Sequence, residues 1–161
     1  MSQVFFISDL HLGHKRILEF SPNRGGTNTI EHSEWLVKQW NSVIGKRDHV
    51  WVLGDIVFSR DHFKYLGEMK GTKNMIMGNH DRFAYEEYKK YFNRICGITK
   101  YRGFWLTHAP IHEEELRGLV NIHGHTHAKV IDDEKYCNVC VEMCSGIPIS
   151  LDYIIEDYKN D

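Results

Sequence analysis

The sequence predicts an α/β (α+β) protein built from two stacked sheets flanked by helices, and three observations lead there. Short β-rich apolar runs recur along the chain, and helical patterns separate the first three, which calls for parallel pairing through right-handed crossovers. Past residue 92 the pattern changes to closely spaced short strands with few helices, so a second sheet stacks on the first. Five of the runs end directly in Asp, Asn or His. In parallel sheets, sites form at the carboxyl ends of the strands, and the polar clusters sit there.

Taken in order, the first strand is Val4-Phe5-Phe6-Ile7-Ser8, which runs into Asp9-Leu10-His11. From Glu31 to Ile44, Trp35, Leu36, Trp40, Val43 and Ile44 fall on one apolar stripe, the mark of an amphipathic helix. Val50 to Leu53 is the second strand and passes through Gly54 into Asp55. A helix over Asp61 to Met69 follows a cap at Ser59 or Asp61. Asn74 to Met77 is the third strand, leading through Gly78 into Asn79-His80-Asp81, and an aromatic-rich helix covers Arg82 to Tyr91. Strands are then predicted at Ile95 to Tyr101, Phe104 to Thr107, Leu119 to His123, Lys129 to Asp132 and Lys135 to Val141. A helix from Leu151 to Tyr158, capped by Ser150 after Pro148, closes the chain.

At 161 residues the chain suits one domain, residues 1–161, with a proper core. Its apolar content of 42% and charged content of 26% are an ordinary globular mix without low-complexity stretches. The N-terminus carries no basic leader, and Val4 to Ile7 is too short for a signal peptide or membrane span, so a cytoplasmic protein without a membrane anchor is expected. Reduced thiols are the expectation for Cys96, Cys137, Cys140 and Cys144; a C-x2-C-x3-C metal site lacks an obvious fourth ligand. Net charge is −2, and the basic residues are scattered, which argues against extended duplex nucleic-acid binding. Eleven histidines is the abnormal count, and it points to metal or proton chemistry.

The strand-end residues Asp9, His11, Asp55, Asn79, His108, His125 and His127 make a mixed oxygen and nitrogen ligand set. Seven ligands are too many for one open transition-metal site and suit two ions sharing a carboxylate. Singly, each could cap a helix or end a turn; together they demand a common use. With no thiolate in the set, Mn2+ is the most natural ion, and Fe, Zn2+, Ni2+ or Co2+ are tolerable.

D-L-H at 9–11, G-D at 54–55, G-N-H-D at 78–81, T-H at 107–108 and G-H-T-H at 124–127 resemble, in order, the five signature blocks of the calcineurin-like metallophosphoesterases. The resemblance spans residue 4 to about residue 127, and N-V-C-V-E at 138–142 is similar to the late strand of small bacterial and phage members. It implies a four-layer α/β/β/α sandwich of two mixed sheets with a dimetal site at the strand C-termini. By this resemblance Asp9, His11, Asp55 and His127 hold the first ion, and Asp55, Asn79, His108 and His125 the second. His80 is then the general acid, with Asp81 as its orienting carboxylate. The implied chemistry is hydrolysis by a metal-bridging hydroxide in an in-line displacement.

Only 27 residues separate His80 from His108 and 16 separate His108 from His125, which leaves no room for a cap domain. The site should be open. Small capless relatives imply a phosphodiesterase acting on small nucleotide diesters such as 2′,3′-cyclic nucleotides. A phosphomonoesterase or nuclease is the alternative, and a non-catalytic scaffold the rival from another class, countered by the filled ligand positions. His14 and Arg24 are candidate substrate-phosphate contacts, Arg24 because it sits in a Gly-rich loop. His32, His49, His62 and His112 are read as surface or edge residues, Glu142 as a strand residue with a possible role behind a ligand, and His123 as ending its strand or bonding behind a ligand.

Overall fold

The computed structural model describes residues 1–158 and contains two sheets. In the first, β1 (Val4–Ile7), β2 (His49–Val52), β3 (Thr72–Ile76) and β4 (Phe92–Cys96) pair in parallel, and β9 (Ile149–Ser150) runs antiparallel to β1. The second has the order β5 (Thr99–Tyr101), β6 (Phe104–Thr107), β7 (Val120–His123), β8 (Tyr136–Asn138), with β5 antiparallel at the edge and the rest parallel. Both sheets are mixed, as the family resemblance implies.

Alternation along β1 and β2 divides the first sheet between two cores. Phe5, Ile7, Val50, Val52 and Met75 meet the helices α2 (Thr29–Asn41), α3 (Phe63–Glu68) and α4 (Tyr85–Lys89) through Leu36, Trp40, Phe63, Leu66 and Tyr88. Phe6, Trp51, Leu53 and Ile76 belong to the other core, with Phe104, Leu106 and Ile122 of the second sheet and Leu151 and Ile154 of α7 (Leu151–Tyr158). Burial on both faces is why these strands read as unbroken apolar runs. On the outer face of the second sheet, the short α5 (Glu113–Leu116) completes the layer order, with Leu116 buried and its carbonyl accepting from Trp105 Nε1 at 3.2 Å. Among the described residues, no helix is long and apolar enough to cross a membrane.

Several predicted boundaries shift. α2 begins at Thr29 because Asn28 accepts from the Glu31 N–H at 2.9 Å, while the Glu31 carboxylate takes the Thr27 N–H and hydroxyl. The predicted 95–101 strand is two: β4 ends at Cys96, and β5 starts in the other sheet at Thr99. Lys129 to Asp132 is loop, held by Asn138 Nδ2 donating to the carbonyls of His127 and Lys129. Of Lys135 to Val141 only Tyr136–Asn138 is strand, and Val141–Cys144 form a helix, α6. A short helix, α1 (Ile17–Phe20), precedes α2 without a sequence signal, since four residues show no period.

The sheets join at their carboxyl ends. Ser8 N–H donates to Val139 O at 2.9 Å, and Val141 N–H donates to Ser8 O at 3.0 Å. Beyond β1 and β2 the two chains stay paired, with Asp9 N–H on Gly54 O and His11 N–H on Asp55 O. The segments after β1, β2, β3, β6, β7 and β8 therefore meet at one place.

Candidate metal centre

Asp9, His11, Asp55, His125 and His127 all adopt left-handed backbone conformations, with φ of 59°, 53°, 52°, 70° and 52°. Non-glycine residues avoid this region unless surrounding structure holds them in it. Here the holding bonds are the paired loops just described, so the turn after each strand swings its side chain back over the sheet ends. β7 stops at His123, and beyond it the left-handed His125 and His127 send their imidazoles to different groups. Gly124 is needed for space rather than for bending, because a Cβ there would collide with the Ser8 hydroxyl and the Asp9 carboxylate.

Two clusters of potential ligand atoms result, each with its atoms within 4.8 Å of one another: Asp9, His11 and His127, and Asp55, His108 and His125. Asp55 lies between them, its Oδ2 3.8 Å from His11 Nε2 and its Oδ1 3.5 Å from His108 Nε2. Asn79 Oδ1 joins the second cluster at 2.9 Å from His108 Nε2. All seven predicted ligands are brought together.

The atoms fit divalent cations. In the first cluster, Asp9 Oδ1 and both His11 nitrogens are buried without a hydrogen-bond partner, and Asp9 Oδ1 faces His11 Nε2 at 3.5 Å and His127 Nε2 at 3.6 Å. In the second, His108 Nδ1–H donates to Leu53 O at 2.7 Å, which turns Nε2 toward Asn79 Oδ1 at 2.9 Å, His125 Nδ1 at 3.1 Å and Asp55 Oδ1 at 3.5 Å. Carboxylate, amide and imidazole ligand atoms converging in this way are the arrangement a cation satisfies. The donors are oxygen and nitrogen only, and neither cluster contains a cysteine. Metallophosphoesterases use divalent metals, and these seven residues would hold two.

Burial alone would raise the Asp9 pKa, but His11, the nearby His108, Ser8 Oγ at 2.6 Å and His125 N–H at 2.8 Å hold this carboxyl well below the usual range. Burial lowers the His11 pKa and keeps its ring neutral, ready to ligate. His127 moves upward, because its Nδ1 bonds Glu142 Oε1 at 3.1 Å.

His80 stands at the rim with its side chain 45% exposed, its Nδ1 2.8 Å from Asp55 Oδ2 and its ring 5.4 Å from that of Phe58. Asp81, expected to orient His80, does something else. Its oxygens accept from the backbone N–H groups of Asp55, Ile56 and Gly78 at 2.8, 2.9 and 2.8 Å, tying the β2 and β3 loops together. Burial pushes its pKa up to about 6 against the pull of those N–H groups. Of the predicted 82–91 helix only Tyr85–Lys89 forms.

Arg24 is corrected too. Its side chain is 2% exposed and spends its donors on Glu142 and on the Asp9 and Leu10 carbonyls, so it does not face a substrate phosphate. His14 is at the rim, its ring 5.3 Å from His11 and edge-on to Phe58 at 4.8 Å. His32 and His62, read as surface residues, are buried; His32 Nε2 lies 3.3 Å from Arg24 Nη1, and His62 Nδ1 lies 2.8 Å from Ser33 Oγ. His123 ends β7, buried, with Nδ1–H donating to Gly124 O at 2.8 Å. Sequence reasoning missed Phe58, whose ring stacks on His11 at 4.4 Å, and Ser8 as a donor to Asp9. The only signal for Ser8 was its position beside a ligand at a strand end.

Comparison with known proteins agrees with this geometry. A family model for the calcineurin-like phosphoesterase superfamily domain matches residues 3–141. An uncharacterized protein of Methanocaldococcus jannaschii is 33% identical, with 97% of this chain and 91% of that protein covered. The gene 66 protein of Mycobacterium phage L5 is 32% identical over 81% of this chain and 80% of its own length. In fold, a crystal structure of a protein of unknown function from Aquifex aeolicus superposes with a TM-score of 0.77 at 24% identity, covering 97% of this chain and 99% of that one. The chain therefore belongs to the calcineurin-like phosphoesterase superfamily, a family of metal-dependent phosphoesterases.

Proposed function

We propose that the protein is a phosphodiesterase acting on small nucleotide diesters such as 2′,3′-cyclic nucleotides. The observation that carries the diester assignment is that two separate clefts border the ligand cluster, one reaching His80 and the other His11 and His127. Val57, Phe58, His80, Arg82 and Phe83 line one; His11, Ile17, Phe20, Ser21 and His127 line the other. A diester has two organic arms, and each cleft offers aromatic surface for one of them.

Bound divalent ions supply Lewis acidity toward the phosphoryl oxygens and raise the acidity of the attacking water. The two ligand carboxylates, Asp9 and Asp55, leave such a pair of ions with net positive charge, which draws an anionic phosphate without an arginine. As the imidazolium, His80 delivers the proton to the leaving oxygen: its Nδ1–H is held on Asp55, so Nε2–H is the proton it gives up, and its exposure gives the leaving group access. His14, whose ring is edge-on to Phe58, would meet a phosphate oxygen. The absence of thiolates from the ligand set supports Mn2+, with Fe, Zn2+, Ni2+ or Co2+ as substitutes. All four cysteines are free, which supports a reducing, cytoplasmic setting.

The test is a substrate panel across divalent metals: 2′,3′-cyclic nucleotides, a bis-aryl phosphate, an aryl monophosphate and single-stranded DNA. Highest kcat/KM on the small diesters is expected. A clear preference for the monophosphate or the DNA would replace this reading with a phosphomonoesterase or a nuclease, and no turnover of any ester would leave a scaffold.

A further inference from the structure

We propose that Arg24 and Glu142 form a buried ion pair that positions His127 for the first metal ion, so that this ion's affinity depends on two side chains outside the ligand set. The inference rests on the dimetal reading above.

The geometry is a chain of charge-assisted bonds ending on a ligand. Glu142 Oε1 is 3.1 Å from His127 Nδ1. Only the ring can supply a proton there, so Nδ1 carries it, and the neutral ring keeps its lone pair on Nε2, the atom 3.6 Å from Asp9 Oδ1. The same carboxylate oxygen accepts from Arg24 Nη2 at 2.6 Å, Arg24 Nε at 3.0 Å and Ser21 Oγ at 2.8 Å. Four donors on one oxygen leave Glu142 little freedom to turn away.

Arg24 has a second grip. Its Nη2 also donates to Asp9 O at 2.7 Å and its Nη1 to Leu10 O at 2.9 Å. These are the carbonyls of the turn in which Asp9 and His11 are both left-handed. One guanidinium thus ties the 21–24 loop, the Asp9–His11 turn and α6 to each other, and three of the first ion's ligands depend on it. A pair only 2% and 10% exposed is costly to desolvate, and its hydrogen bonds go to groups of the site.

The two ions are buttressed unequally. Behind the second cluster, His108 leans on a neutral carbonyl, Leu53 O. Behind the first, His127 leans on a carboxylate, which makes its imidazole the more basic donor. The first ion should be the tighter one.

The experiment is a Mn2+ titration of metal-free protein, with free Mn2+ counted by electron paramagnetic resonance, for wild type, Glu142→Gln and Glu142→Ala. Wild type should bind two ions of different affinity. Glu142→Gln keeps an acceptor and should weaken the tighter ion about 10-fold; Glu142→Ala should weaken it about 100-fold, with the weaker ion within twofold of wild type. In parallel, 15N imidazole spectra of the metal-free proteins at alkaline pH should show His127 as the Nδ1–H tautomer in wild type and shifted toward Nε2–H in Glu142→Ala. A merely structural role would not move that tautomer. Wild-type Mn2+ affinities in the variants, or an unchanged tautomer, would overturn the proposal; if the alanine variant does not fold, the glutamine variant decides alone. Fewer than two ions bound by wild type would sink the dimetal reading itself.

Discussion

Five of the candidate ligands in left-handed conformations, each costing on the order of 1–3 kcal/mol, mean that the fold carries strain where it aims these donors. Asp55 shows what the strain achieves, since its two oxygens face different clusters from one backbone position. Asp55→Ala should therefore lower occupancy at both ions, as counted by elemental analysis; a variant retaining two ions would remove Asp55 from the bridging role. His80 is hydrogen-bonded to Asp55 and is not one of the candidate ligands, so His80→Ala should keep both ions and lose turnover by about 10²- to 10⁴-fold, most for esters with poor leaving groups. Equal losses across leaving groups of different pKa would argue against proton delivery by His80. At this scale the ligand inventory was legible, because Asp, Asn and His at strand ends have few bland uses together. The partners of Arg24 and Asp81 were not: a side chain's acceptors lie wherever the fold brings them.

The elements were legible where they are long enough to show a period. α2 declares itself by its apolar stripe, but its start depends on local bonds, with Asn28 accepting from Glu31 N–H and Glu31 reaching back to Thr27. Asn28→Ala removes that acceptor, and it should destabilise the protein by about 1 kcal/mol in urea unfolding without changing metal stoichiometry. A midpoint equal to wild type would show that water satisfies the Glu31 N–H as well as Asn28 does. Four-residue helices such as α1 and α6 are too short for any pattern, and the 129–132 run of apolar and charged residues resembles a strand while lacking a neighbour to pair with. Strand pairing needs a partner edge, and local sequence does not carry one.

For the whole molecule, burial is the quantity that sequence conveys least, and His32 makes the point. Burial first, and then the charge of Arg24, pull its pKa from 6.5 to about 3. The folded state thus favours the neutral ring. Its contribution to stability is complete above pH 6.5 and is lost as pH falls toward 3, at about 1.4 kcal/mol per pH unit within that window. Urea midpoints for wild type and His32→Gln at pH 7, 6, 5 and 4 should diverge, wild type declining more steeply; parallel profiles would mean that His32 is not held neutral.

By itself the sequence determined the parallel pairing of the first three strands, the seven residues that converge and the family resemblance, because period and residue chemistry are local properties that survive without a fold. Tertiary structure decided which ligands share a cluster, that Asp81 braces backbone rather than His80, and that Arg24 meets Glu142 across 118 positions of chain instead of meeting a phosphate. Those outcomes follow from two sheets stacking with their carboxyl ends together. Such stacking brings distant loops within hydrogen-bonding range, and no local pattern records which of their side chains will meet.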